Sequence, residues 1–223
     1  MQITQALIMA AGRGTRMYPL TDVVPKPMAP YKGSTLIAQR IERIAQHVGQ
    51  IHITVGYKKA MLAQHVIEHG VASVLNTEGH DNAWWVYNTL LRYVNEPIFV
   101  LTCDNVTELD FGLLAENYVS AGAPPCMLVP VTPIEGLAGD YIRHEGGVVT
   151  NLDRHRPSDI YCSGIQVLNP SLVRKETDAC ENFYDLWRQL IQKKMLRVSS
   201  VYPKNWFSVD TMEQLVAAEA RDL

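Results

Sequence analysis

AAGRGTRMYPLTDVVPKPMAP, residues 10–30, follows directly on the apolar run Ala6-Leu7-Ile8-Met9. Two glycines, two arginines, a lysine and four prolines share this one connection. Glycines after a buried strand let backbone N–H groups turn towards an anion at close range. Arg16 adds a planar fork of donors suited to phosphate. Lys26 stands between Pro25 and Pro27, whose fixed φ and bias on the preceding residues hold the segment extended. A lysine braced in this way is a positioned point charge. The segment is neither of the common nucleotide fingerprints. A P-loop ends in G-K-[ST], and the dinucleotide pattern needs a third glycine where Met17 stands.

Apolar runs alternate with helix-period segments through the first half. The runs at 6–9, 51–55, 72–75, 97–102 and 126–131 are short and rich in β-branched residues, so they predict strands. Between them, 34–48 puts Leu36, Ile37, Ile41, Ile44, Ala45 and Val48 on one helical face, opened by Ser34 and closed by Gly49. Further helices are expected over 58–69, 83–93 and 110–122. This alternation predicts an α/β chain, with a mostly parallel mixed sheet covered by helices on both faces, a Rossmann-like three-layer arrangement. Ligands in such sheets lie beyond the carboxyl ends of the strands. Both the opening segment and Thr102-Cys103-Asp104-Asn105 fall there. After residue 139 the pattern shifts to short strands within 140–168, then helices at 182–193 and 211–221. No linker or repeat interrupts the chain, so one domain is expected, with a nucleotide-binding half (1–131) and an acceptor-binding half (132–223).

The composition suits a globular chain: 223 residues, 47% hydrophobic and 19% charged. A net charge of −3 gives no general reason to bind nucleic acid or a membrane. Any anion site must therefore be local. Cys103, Cys126, Cys162 and Cys180 are widely spaced, which suits reduced thiols and a cytoplasmic protein. No apolar stretch is long enough to span a bilayer, and the N-terminal residues do not read as a secretory leader.

The spacing G-x-G-x-R-x-x-P-x-T…P-K-P resembles the signature of nucleotidyltransferases that join a nucleoside triphosphate to a sugar 1-phosphate and release pyrophosphate. Later stretches (GDYIR at 139–143, CSGIQVLNPSL at 162–172, MEQLVAAEA at 212–220) resemble uridylyltransferases for N-acetylmuramate 1-phosphate and mannose-1-phosphate guanylyltransferases. Some features are similar to phosphocholine cytidylyltransferases. The resemblance implies that the loop of Ala10, Ala11, Gly12, Gly14 and Thr15 cradles the triphosphate. It implies that Arg16 neutralises the β- and γ-phosphates and that Lys26 contacts the α-phosphate and the incoming phosphate. It also implies a transferase of nucleotide-sugar biosynthesis that serves cell-surface polysaccharide.

The chemistry follows from charge. A phosphomonoester has its second pKa near 6, so its oxygen attacks without a general base. Catalysis then consists of aligning two anions and neutralising the departing pyrophosphate. Mg²⁺ is the expected cofactor, since it takes one or two carboxylates and completes its shell with phosphates and waters. Asp104, at the end of the strand 97–102, is the first expected ligand. The family usually has Gly-Asp here, so Cys103 is a departure. The family's later W-x-D-x-G-T is replaced by Trp206-Phe207-Ser208-Val209-Asp210-Thr211. This makes Asp210 the expected second ligand, with Ser208 at the usual aspartate position and helix capping as a competing role for Asp210.

The base and the acceptor are read elsewhere. The usual G-T-[AG]-G-A segment is replaced by HDNAWWVYNTL at 80–90, which makes Asn88 the expected base reader. His155-Arg156-Pro157 falls where relatives carry Glu-Lys-Pro, so the resemblance gives Arg156 the acceptor phosphate. Asp140 and Gly164 are expected in the same pocket. The expected partners are thus a nucleoside triphosphate and a phosphorylated small molecule. Three functions compete: a sugar-1-phosphate nucleotidyltransferase, a cytidylyltransferase for a metabolite such as phosphocholine, and a non-catalytic nucleotide-sugar-binding regulator.

Overall fold

The apolar run after Thr4 is a strand buried at Ala6, Leu7 and Ile8 in the computed structural model, which describes residues 2–134 and 139–220. Along the chain the strands of three residues or more are β1 (Gln5–Met9), β2 (Gln50–Val55), β3 (Ser73–Asn76), β4 (Ile98–Thr102), β5 (Asn105–Glu108) and β6 (Cys126–Val131). They continue as β7 (Tyr141–Glu145), β8 (Val148–Asp153), β9 (Tyr161–Leu168), β10 (Leu196–Val198) and β11 (Asn205–Ser208). The longer helices are α1 (Leu36–Ala45), α2 (Lys59–Glu68), α3 (Trp84–Asn88), α4 (Phe111–Ser120), α5 (Pro170–Glu176), α6 (Phe183–Gln192) and α7 (Met212–Glu219). The fold is therefore mixed α/β, built on a large and mostly parallel central sheet, as the alternation predicts.

The chain divides into two compact units that are interleaved in sequence. One comprises 4–79, 101–108 and 205–223, and the other comprises 1–3, 80–100 and 109–204. In the first, β1 runs parallel to β2 (Ile8 opposite Ile53) and β2 parallel to β3 (Ile53 opposite Val74). Its last segment returns to pair β11 antiparallel with β5, Phe207 opposite Val106. In the second, β9 lies antiparallel to both β4 and β6, β10 parallel to β6, and β8 antiparallel to β10 and β7.

Several boundaries differ from expectation for local reasons. Thr35, not Ser34, caps α1, its side chain accepting from Ala38 N. The helix expected over 83–93 breaks at Thr89, whose hydroxyl accepts from Leu91 N and restarts the chain as a short 3₁₀ turn. Asp110 caps α4 and Asn182 caps α6. The expected end of the last helix at 221 lies outside the described residues. The four cysteines are free thiols, and Cys103 and Cys126 are buried.

Candidate active site

Lys26 opens a single 3₁₀ turn, entered through Pro25 in extended conformation. Its stem is buried, and Nζ ends 2.7 Å from Asp104 Oδ2 and 2.8 Å from Asp210 Oδ1. Arg16 Nη2 lies 2.9 Å from the same Asp210 oxygen. Residues 78 and 184 positions from Lys26 thus converge on one ammonium. Gly14 makes this possible. Its φ is +65°, and a Cβ there would stand 2.6 Å from Lys26 Cβ. The glycine leaves the volume that the lysine stem fills, so GRGTR and PKP pack as one object. Gly12 has the opposite character, for a Cβ there would meet nothing within 4 Å.

Backbone contacts bring the two carboxylates together. Cys103 N donates to Met9 O at 3.1 Å, pinning the turn after β4 to the end of β1. Val209 N donates to Asp104 O at 2.9 Å, so the turn beyond β11 is stitched to the turn before β5. Asp210 does not cap α7. Thr211 does so, in a capping box with Gln214, and the Asp210 carboxylate is left to Lys26, Arg16 and Ser208 Oγ.

Burial acts to lower the Lys26 pKa, but the Asp104 charge and the hydrogen bonds that Lys26 donates to both carboxylates prevail and raise it. For Asp210, burial pushes upwards, yet the bond and charge of Lys26, helped by Arg16, hold the carboxyl below its ordinary range. The Cys103 thiol is pushed up to about 12 by burial and then by Asp104. It is therefore a neutral packing residue and no nucleophile.

The glycine loop is braced by the end of β2. Ala10 N donates to Thr54 Oγ1 at 3.1 Å and Tyr57 N to Ala11 O at 3.0 Å. Tyr57 Oη donates to Thr21 O at 2.9 Å, and Arg13 lies over the Tyr57 ring at 5.2 Å. Gly56 has its own constraint: a Cβ there would sit 2.6 Å from Ala11 O. Sequence reasoning missed Thr54, Gly56 and Tyr57, although a glycine directly after an apolar strand was a visible signal.

In the second unit a cavity of about 600 Å³ is lined by Asp140, Asp153 and Arg154 together with Phe183, Tyr184 and Trp187. Arg154 Nε donates to Asp140 Oδ1 at 2.7 Å. Arg156 does not line the cavity. Its backbone N donates to Asp153 Oδ1, its guanidinium is 3.8 Å from the same carboxyl group, and its side chain is 78% exposed. Gly164, at φ +81°, stands where β9 shifts register against β6 and is likewise not in the cavity lining. Asn88 ends α3 in an exposed position, where its amide donates to Trp84 O at 3.0 Å. Trp85 is core, and Trp84 stacks on His80 at 4.0 Å.

A family profile described as "Nucleotidyl transferase" matches residues 5–223. The chain belongs to the nucleotidyl transferase family. The chain is 25% identical to the N-acetylmuramate alpha-1-phosphate uridylyltransferase of Caulobacter vibrioides over 97% of its own length and 96% of that protein. It is 31% identical over 117 residues to the bifunctional protein GlmU of Methanococcus maripaludis, covering 52% of this chain but only 28% of that one. The chain thus spans just over a quarter of the GlmU proteins it matches. Its fold follows that of a UDP-glucose pyrophosphorylase crystallised in the apo form, with TM-score 0.78 at 18% identity, covering 98% of this chain and 97% of that one. The family resemblance read from the opening loop is therefore the family found.

Among the described residues no group of three or more His, Cys, Asp or Glu side chains could hold a metal. The donor set at Lys26 is of another kind: two carboxylates already converging on one cationic group. Such hard oxygen donors, fewer than a full shell, suit Mg²⁺ completed by phosphate and water. No helix among the described residues is long and apolar enough to cross a membrane.

Proposed function

We propose that the chain is a cytoplasmic Mg²⁺-dependent nucleotidyltransferase that converts a nucleoside triphosphate and a sugar 1-phosphate to a nucleotide sugar and pyrophosphate. The observation that carries this reading is the convergence of Arg16, Lys26, Asp104 and Asp210 beside the glycine loop. Backbone N–H groups of Ala10, Ala11, Gly12, Gly14 and Thr15 hold the triphosphate, and the open space over Gly12 lets it approach. Asn88 reads the base, and Arg16 meets the outer phosphates. Lys26 orients the α-phosphate against the acceptor phosphate, whose dianionic oxygen needs no general base. That oxygen forms a bond to the α-phosphorus as the bond to the β-phosphate oxygen breaks. Pyrophosphate leaves with the electron pair, and the two cations stabilise the charge that moves. Asp104 and Asp210 would hold Mg²⁺, which would supply further charge neutralisation at the phosphate oxygens. Asp140 and Arg154 form the acceptor side. Arg154 takes the acceptor phosphate in preference to Arg156, because it lines the cavity.

The same cavity favours a second reading. Three aspartates, Asp81, Asp140 and Asp153, and the rings of Tyr184 and Trp187 suit a cationic acceptor such as phosphocholine, used with CTP. Pyrophosphate release across four nucleoside triphosphates, several sugar 1-phosphates and phosphocholine decides between them. Turnover with a sugar phosphate supports the first reading. Turnover only with CTP and a non-sugar acceptor replaces it with the second. Lys26→Ala is expected to cost about 10²–10³ in kcat, the scale of losing one preorganised charge donor. An unchanged rate overturns both.

A further inference from the structure

Arg40, in α1, is the most deeply buried arginine or lysine among the described residues. It is 5% exposed, and both its Nε and its Nη2 lack a hydrogen-bond partner. The hydroxyl of Tyr31, 2% exposed, lacks one too. The two side chains line one small cavity in the first unit, about 20 Å³ in volume, together with Arg43 and the segment around Asn105. A buried donor without an acceptor is costly, and a buried charge more so. Three such donors on one cavity describe a receptor whose ligand is an acceptor.

The charges around the cavity select its sign. Arg43 lines the same space, its Nη1 donating to Thr107 O at 3.3 Å. Asp104 acts on Arg40 through its charge, but its Oδ2 accepts from Lys26 and the Arg40 fork is not bonded to it. The Cys103 thiol, pushed up to about 12, is neutral. Glu219 acts on Tyr31, but its Oε1 accepts from Lys32 N. Burial draws the Arg40 pKa down to about 10, which still leaves it charged at neutral pH. Size selects the class, since about 20 Å³ accommodates one particle on the scale of a water, where a cavity needs roughly 10–15 Å³. That room favours a monatomic anion over phosphate or sulfate. A water would accept from two donors but must also donate two protons, whereas a halide only accepts.

We propose that the cavity bounded by Tyr31 and Arg40 is a binding site for a monatomic anion, chloride in practice, held by Arg40 Nε and Nη2 and by the Tyr31 hydroxyl. The site is independent of the triphosphate clamp. It would stabilise α1 and the turn after β4 by neutralising a guanidinium that the fold has buried.

Crystals of the intact protein soaked in bromide test this directly. An anomalous peak within hydrogen-bond distance of Arg40 Nε and Tyr31 Oη supports the site; an ordered water without anomalous signal overturns it. In solution, replacing gluconate with chloride at constant ionic strength should raise the melting temperature. That rise should be lost in Arg40→Met. Tyr31→Phe, which keeps the ring packing, should reduce it without lowering the stability measured in gluconate. Equal chloride response in wild type and both variants overturns the proposal. Neither readout uses turnover, so the result stands apart from the assigned reaction.

Discussion

Gly14 and Lys26 form the smallest unit whose change should be felt throughout the site. Gly14 carries φ +65° and stands against the lysine stem. Gly14→Ala combines left-handed strain, about 1–2 kcal/mol for a residue with a Cβ, with a 2.6 Å clash. Urea unfolding should show a loss of at least that size, and activity should fall with it because the clash acts on Lys26. The lysine itself was legible in the sequence, since P-K-P fixes a charge in an extended segment. Its partner Asp210 was legible only as one of two positions, with Ser208, and capping competed for it. The capping box of Thr211 with Gln214 settles that competition, and only side-chain geometry could reveal it. Arg154 against Arg156 is the same kind of choice between neighbours two residues apart. Arg154→Ala should raise the KM for the phosphorylated acceptor well beyond Arg156→Ala, and steady-state kinetics on the two variants checks it.

Among elements, the apolar runs announced their strands because burial on both faces writes itself locally as a continuous β-branched stretch. Helix α5 was missed, although Asn169 as cap and Pro170 at the first position are both start signals. The pairing of β5 with β11 had no local signature, because its partners lie about a hundred residues apart. It is nonetheless the contact that delivers Asp210. The turn after β2 works in the same hidden way, clasping the glycine loop through Thr54, Gly56 and Tyr57. Gly56→Ala should displace the Ala11 carbonyl and weaken nucleotide binding while β2 keeps its pairing. Calorimetric titration of the nucleotide, with circular dichroism as control, would detect this.

The whole molecule carries a pH signature from the same ion pairs. The Asp210 carboxyl is held below its ordinary value, near 4 in an unfolded chain, so the unfolded state binds protons first as pH falls. The stabilisation is fully present above about pH 4 and is lost as pH drops through the depressed folded value. Lys26 is raised, so its contribution persists below about pH 10 and fades as pH climbs through its folded value. Unfolding midpoints measured across this range should fall at both limits, and Asp210→Asn should flatten the acid limb. The α/β class was legible from strand and helix alternation. The interleaving of the two units was not, because segments 101–108 and 205–223 join the first unit only through contacts distant in sequence.

The 184-residue gap between Lys26 and Asp210 also has a meaning in time. At a synthesis rate of about 5–20 residues per second, roughly 10–40 seconds separate the emergence of the lysine from that of its second carboxylate. Throughout that interval the loop that opens the sequence is already made, with a positive charge waiting for its partner. The chain gains its second counter-charge only when that interval is over.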